Sequence, residues 1–209
     1  MTESEERRGL FLGVKPGTPR SHVYAGTAVL AGLFLWTWWF ILAPVEANYA
    51  GRTFLHLVNL PFHEAGHVVF RVFGSSLLTS LGGSLGQLIM PLVCMLVLLL
   101  KTRDPFGASV SLWWLGENFQ DLAPYIADAA VMRMPLLGGN TGASAPYGFH
   151  DWNYILTETH LIGRAEALGG LSAFVGSSLM LLSVLWGASV LWKQHGCTKA
   201  RGSQGGGGS

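Results

Sequence analysis

Charge is scarce in this sequence: 12% of its 209 residues are Asp, Glu, Lys or Arg, about half the ~25% usual in a soluble domain. Half of the chain is hydrophobic and the mean hydropathy is +0.39. A soluble fold has too little polar surface here to cover that much apolar surface, so lipid must cover it. The net charge of +1 offers no basic excess for nucleic acid and points to no acidic partner. Cysteine is nearly absent as well. Cys94 lies deep in an apolar run and Cys197 in the C-terminal tail, an arrangement that excludes a disulfide framework and leaves the redox compartment unassigned.

What is present is long apolar runs. Residues 24–42, 76–100 and 167–192 each hold about 18 or more residues with almost no charge, enough to cross a bilayer as helices. Trp36, Trp38, Trp39 and Trp192 fall near the ends of these runs, where indole rings favour the headgroup zone. Gly82 and Gly86 are four apart, with Gly83 and Ser84 beside them, so the second run can approach another helix closely.

Two further segments are apolar but carry polar groups. Residues 54–73 include His56, Asn59, His63, Glu64, His67 and Arg71, and residues 109–132 include Glu117, Asn118, Gln120, Asp121 and Asp128. Ionisable groups at membrane depth are costly and face a protein interior or a wet cavity, so function is expected in these two segments. In the first, Asn59 reads as an N-cap, Pro61 as a first-turn residue and Gly74 as the stop. The helix between them, about 21 Å long, is short of the ~30 Å hydrocarbon core and fits a re-entrant or partly inserted element. A Gly-, Ser-, Asn- and Pro-rich loop, residues 135–149, follows the second segment and is a candidate gate for a site beneath it.

Lys and Arg give the topology. With four spans, Arg7, Arg8, Lys15, Arg20, Lys101, Arg103, Lys193, Lys199 and Arg201 share one side, and Arg52, Arg71, Arg133 and Arg164 the other. Five spans divide them more evenly, so the positive-inside rule favours four spans with both termini cytoplasmic. The expected organisation is a cytoplasmic segment 1–23, retained as part of a signal anchor, a membrane-embedded body 24–192, a tail 193–201, and a GGGGS-type linker 202–209 left by expression. The fold class is therefore an all-α polytopic bundle with four full spans and a re-entrant helix, five spans being the alternative. The expected setting is a bacterial inner (plasma) membrane.

The chemistry concentrates in His63-Glu64-Ala65-Gly66-His67. Histidines four apart on a helix point the same way and can share one metal ion. Zinc accepts such nitrogen donors and leaves a coordination position for water in catalytic sites. Glu64, next to the first ligand, can take a proton from that water and pass it to a leaving amine. Ala65 and Gly66 are small enough to admit a neighbouring element. On a soluble surface helix the same five residues are often incidental, but in an apolar helix, burying two histidines and a glutamate unpaired costs several kcal/mol.

An HExxH helix among a few membrane helices, followed many residues later by an aspartate, resembles the site-2 protease family of intramembrane zinc metalloproteases. The resemblance covers roughly residues 54–155, and its specific part is His63 to His67. It implies zinc bound by His63 and His67, Glu64 as catalytic base, and a membrane-tethered polypeptide as substrate. The Leu-Asp-Gly motif that completes the site in that family is absent. Its nearest equivalent is His150-Asp151-Trp152.

Asp151 is accordingly the first choice of third ligand, with His150 and Glu117 as alternatives. Asp151 also reads as a helix N-cap. Glu117, Asp121 and Asp128 fall on one helix face, a polar stripe satisfied by its neighbours or, for Glu117, Asn118 and Asp121, a set that orients a metal-bound histidine. The same carboxylates with the histidines could alternatively form a di-metal site, while His56 and His160 read as interfacial. The function expected is zinc-dependent peptide-bond hydrolysis in or next to the membrane. The alternative is a metal-binding membrane subunit without protease activity that docks on a larger complex.

Overall fold

The computed structural model describes residues 9–13, 18–137 and 139–204, with side chains as far as Gly196. Arg7, Arg8, Lys15 and residues 205–209 of the expected linker lie outside the described residues, as do the side chains of Lys199 and Arg201. The described chain is helical and contains no strand. Its main elements are α1 (Arg20–Leu42), α2 (Phe54–Phe70), α3 (Ser76–Leu96), α4 (Pro105–Ala127), α5 (Asp151–Glu158) and α6 (Ala165–Gln204). One π-helical turn, Val97–Lys101, prolongs α3.

Local chemistry sets the boundaries. Ala43 is extended (φ −74°, ψ 129°) ahead of Pro44, which ends α1 because the residue before a proline avoids the helical region. Ser75 Oγ accepts the Leu78 N–H and starts α3, and Asp104 Oδ1 accepts the Gly107 N–H at 3.0 Å with Pro105 in the first turn of α4. Gly74, at φ +67°, closes the stretch after α2, as expected of a C-terminal stop. The expected start of that helix is corrected. Thr53 is the N-cap residue, α2 has 17 residues with Pro61 inside it, and Asn59 is buried in its middle.

Three stretches are long and apolar enough to cross a membrane: Arg20–Leu42, Ser76–Lys101 and Ile162–Gly196. Only 17–28% of their most apolar windows is buried, so most of these apolar side chains face outward, which suits a lipid environment. The helices meet along small residues. Gly116 of α4 and Gly176 of α6 sit against each other, and a Cβ on either would come within 2.7 Å of the other's carbonyl oxygen. Gly66 of α2 packs on Gly82 and Gly83 of α3, and Gly86 on Phe62 and Gly66, so the Gly82/Gly86 spacing does admit a second helix, and that helix is α2. Ala65 points away from this seam and is exposed.

Two levels of the bundle fix its direction. Beside Gly26 of α1 lie Leu191 of α6 and Phe106 of α4, so the start of α1, the start of α4 and the end of α6 share one end. Farther along, Trp36 and Phe40 of α1 cluster with Tyr49, Phe54, Trp113 and Met180. Trp113 Nε1 donates to Thr37 Oγ1 there at 2.8 Å. Trp36 thus belongs to an internal aromatic cluster and not to the headgroup belt, whereas Trp39 and Trp192 are exposed.

Candidate metal centre

On α2, His63 and His67 lie one turn apart with ring centroids 4.9 Å from each other. Each ring is held at Nδ1. His63 Nδ1 is 2.9 Å from Gln87 Oε1, and His67 Nδ1 is 2.8 Å from the Thr79 carbonyl oxygen, both on α3. A carbonyl only accepts, so His67 donates from Nδ1. Gln87 Nε2 donates to Asp121 Oδ2 at 3.2 Å, which turns the amide oxygen toward His63 and makes its Nδ1 a donor as well. Both Nε2 atoms therefore keep their lone pairs.

Those lone pairs converge on Asp151. Its Oδ2 lies 3.3 Å from His63 Nε2 and 3.3 Å from His67 Nε2. The ligand atoms of the three residues all fall within 4.8 Å of one another. Three acceptors facing one point repel unless a cation sits among them, and two nitrogens with one oxygen are the donor set of a catalytic zinc site. Gly83 lets α3 approach both rings: a Cβ there would lie 2.5 Å from each Nε2 atom. His63, His67 and Asp151 thus form a group that can hold a metal ion.

Asp151 is delivered by α5. His150, not Asp151, is its N-cap, with Nδ1 accepting the Asn153 N–H at 3.1 Å. Asp151 is left in the first turn with its carboxylate free for the cluster. Tyr125 of α4 fixes it twice: its hydroxyl accepts the Asp151 N–H at 3.0 Å and donates to Oδ2 at 3.2 Å. Burial raises the Asp151 pKa, but with no ion bound a protonated His63 or His67 donates its Nε2–H to Asp151 and holds the carboxyl below its ordinary value. The His150 ring stacks on Tyr125 at 4.3 Å and lies 3.6 Å from Asp128. Its burial lowers its pKa, against the pull of Asp128 and Asp151.

The other expected residues lie around this centre at different removes. Glu64 is exposed and lines a cavity of about 840 Å³ together with His56, His63, His67, Tyr125 and Asp151. Leu136, Leu137 and Phe149 form part of the same wall, so the loop expected to gate the site does border it. Asp121 reaches His63 only through Gln87, and also accepts from His56 Nδ1 at 2.9 Å and Asn59 Nδ2 at 3.3 Å. Glu117 is fully buried against Asn59 Nδ2 at 3.0 Å and touches neither histidine. Asn118 donates to the Trp114 carbonyl of its own helix and takes no part in orienting the histidines. His56, expected at the interface, is instead paired with Asp121 on the cavity wall, while His160 is exposed after α5.

Gln87 and Tyr125 are the residues that sequence reasoning missed. Gln87 carried a usable signal, being the only amide side chain between Ser84 and Lys101 in an otherwise apolar helix. A scan against protein-family models found no match, and searches of curated proteins and of solved structures found none either.

Proposed function

We propose that this chain is a zinc-dependent endopeptidase acting in or beside the membrane. The observation that carries the reading is the meeting of two imidazole lone pairs and one carboxylate oxygen at a point beside Gly83, with Glu64 on the adjoining cavity wall. His63, His67 and Asp151 would hold the ion. Bound there, zinc supplies Lewis acidity to a carbonyl group and acidifies a water molecule. Glu64, on the cavity wall, would take a proton from a water molecule and return it to the leaving amine nitrogen. Tyr125 and Gln87 keep the ligands from rotating. The cavity, bordered by apolar residues of the 135–149 loop, accommodates an extended segment of a membrane-tethered polypeptide.

The membrane arrangement proposed is four traverses, α1, α3, α4 and α6, with α2 re-entrant and the termini cytoplasmic. Contacts of α2 support it. Phe54 at its start stacks on Trp36 at 5.8 Å, about two turns inside the end of α1, and Phe70 at its end packs on Gly82 near the start of α3. The helix begins within the bundle and leaves toward the end where α3 begins. Helix α4 has 23 residues, about 35 Å, enough to cross although its buried face is polar.

The deciding experiment pairs zinc content with cleavage of a membrane-tethered peptide in wild type, Glu64→Gln, and the double variant His63→Ala/His67→Ala. Glu64→Gln is expected to keep about one zinc per chain and lose about 10²–10⁴-fold in cleavage. The double variant is expected to lose both. Full cleavage by Glu64→Gln ends the protease reading, and equal zinc in all three proteins ends the metal reading. Zinc without cleavage in wild type favours a metal-binding subunit of a larger complex.

A further inference from the structure

A second cavity lies far from the metal centre, between the start of α1 and the end of the membrane-spanning part of α6. Its volume is about 680 Å³ and its walls include Arg20, Tyr24, Trp192, Lys193 and His195. None of the described residues lining it is acidic. Tyr24 and His195 meet edge to face at 5.9 Å across it, and Trp192 is exposed at its mouth. The same end of the bundle carries Lys101 and Arg103 just before α4, whose Phe106 lies beside Gly26 and Leu191. Nearby Asp104 is engaged in capping α4.

Two chemistries meet in this cleft. Arg20 and Lys193 supply permanent positive charge at the ends of two lipid-facing helices. Tyr24 and Trp192 supply the amphipathic rings that settle at headgroup depth. Basic pockets between membrane helices at that depth suit anionic headgroups, because a phosphodiester gains two cations while its acyl chains stay in contact with the apolar helix flanks. A free phosphate would gain only the first of these. We propose that this cleft binds the phosphodiester headgroup of an anionic glycerophospholipid, with Arg20 and Lys193 as its charge partners. The site is independent of the proposed peptidase activity.

Native mass spectrometry of the full chain, released from detergent with phosphatidylglycerol or phosphatidylcholine, tests this. Wild type is expected to retain phosphatidylglycerol preferentially. Each basic side chain at an anionic lipid surface is worth about fivefold in affinity, so Arg20→Gln/Lys193→Gln is expected to lose roughly thirtyfold. The charge-keeping pair Arg20→Lys/Lys193→Arg should restore retention, which separates charge from misfolding. Lys101→Gln/Arg103→Gln, at the same end but outside the cleft, should leave it unchanged. Equal retention of the two lipids by wild type overturns the proposal. So does an equal loss in the Lys101/Arg103 pair, which would mean diffuse surface charge. Displacement of the lipid by inorganic phosphate at comparable concentration would also overturn it, by showing a phosphate site in place of a lipid site.

Discussion

Asp121 decides which nitrogen of His63 carries the proton, although the two side chains do not touch. Its carboxylate accepts the Gln87 amide N–H at 3.2 Å, so the amide oxygen faces His63 Nδ1 at 2.9 Å and the lone pair is left on Nε2. Asp121 is itself held by Asn59 and His56, so one buried carboxylate gathers three elements behind the candidate metal centre.

Gln87→Leu should therefore weaken zinc or cobalt binding by about 10–100-fold, the usual worth of a partner that orients a ligand. A metal-free measurement goes with it. Nitrogen-15 spectra of labelled histidine should show His63 protonated at Nδ1 in wild type and losing that preference in Gln87→Leu. An unchanged tautomer with unchanged affinity would remove Gln87 from the centre.

Gly83→Ala drives a methyl group into both imidazoles, 2.5 Å from each Nε2 and 2.6 Å from His67 Cε1, so the two rings cannot keep their shared aim. Overpacking of this kind costs about 1–3 kcal/mol of stability. The expected result is a folded protein with a lowered melting temperature that takes up no metal. Gly82→Ala, whose Cβ meets Phe70 Cβ at 2.6 Å, should show the stability loss with metal uptake largely kept. Metal uptake by Gly83→Ala at the wild-type level would place the ion elsewhere.

Asp151 and His150 adjoin in sequence and should behave differently. Asp151→Ala removes an atom that lies 3.3 Å from each imidazole, and metal content should fall with it. His150→Ala removes the cap of α5 and a ring stacked on Tyr125, costing about 1–2 kcal/mol, and should leave the metal in place. Metal analysis and thermal melts of the two variants separate the roles. Metal retained in Asp151→Ala with metal lost in His150→Ala would reverse them.

The parts of this centre legible in the sequence were those that one helix or one loop carries alone. His63 and His67 share a face because they are four apart, and the Gly82/Gly86 spacing announced a close approach without naming α2 as the partner. The unread parts depend on two helices at once. Asn59 has the look of a cap two residues before Pro61, yet its side-chain amide donates to Glu117 and Asp121 and holds it inside α2, and its Oδ1 accepts the Trp114 indole N–H at 2.9 Å. Tertiary hydrogen bonds there outweigh the local preference of proline for a first turn. Glu117 and Asp121 were rightly placed on one face, but only the packing of α2, α3 and α4 shows Asp121 acting through Gln87 and Glu117 not reaching the histidines.

The path of α2 gives the last prediction. If it re-enters, Gly74 and the 135–149 loop lie on one side of the membrane, and residues near Arg20, Arg103 and Gly196 lie on the other. The side-by-side placement of Gly26, Phe106 and Leu191 already puts three of the helix ends together. If α2 crossed fully, Gly74 would change sides relative to the end of α1, and α3 would have to deliver Arg103 to the end opposite Gly26. Single cysteines at Glu46, Gly74, Ser144, Arg103 and Gly196, in a background with Cys94 and Cys197 replaced by serine, can be labelled with a membrane-impermeant maleimide. Glu46, Gly74 and Ser144 should label from one side of sealed vesicles, and Arg103 and Gly196 from the other. The positive-inside rule puts the second pair in the cytoplasm. Labelling of Glu46 together with Arg103, on the side opposite Gly74, would remove the re-entrant helix and leave five spans.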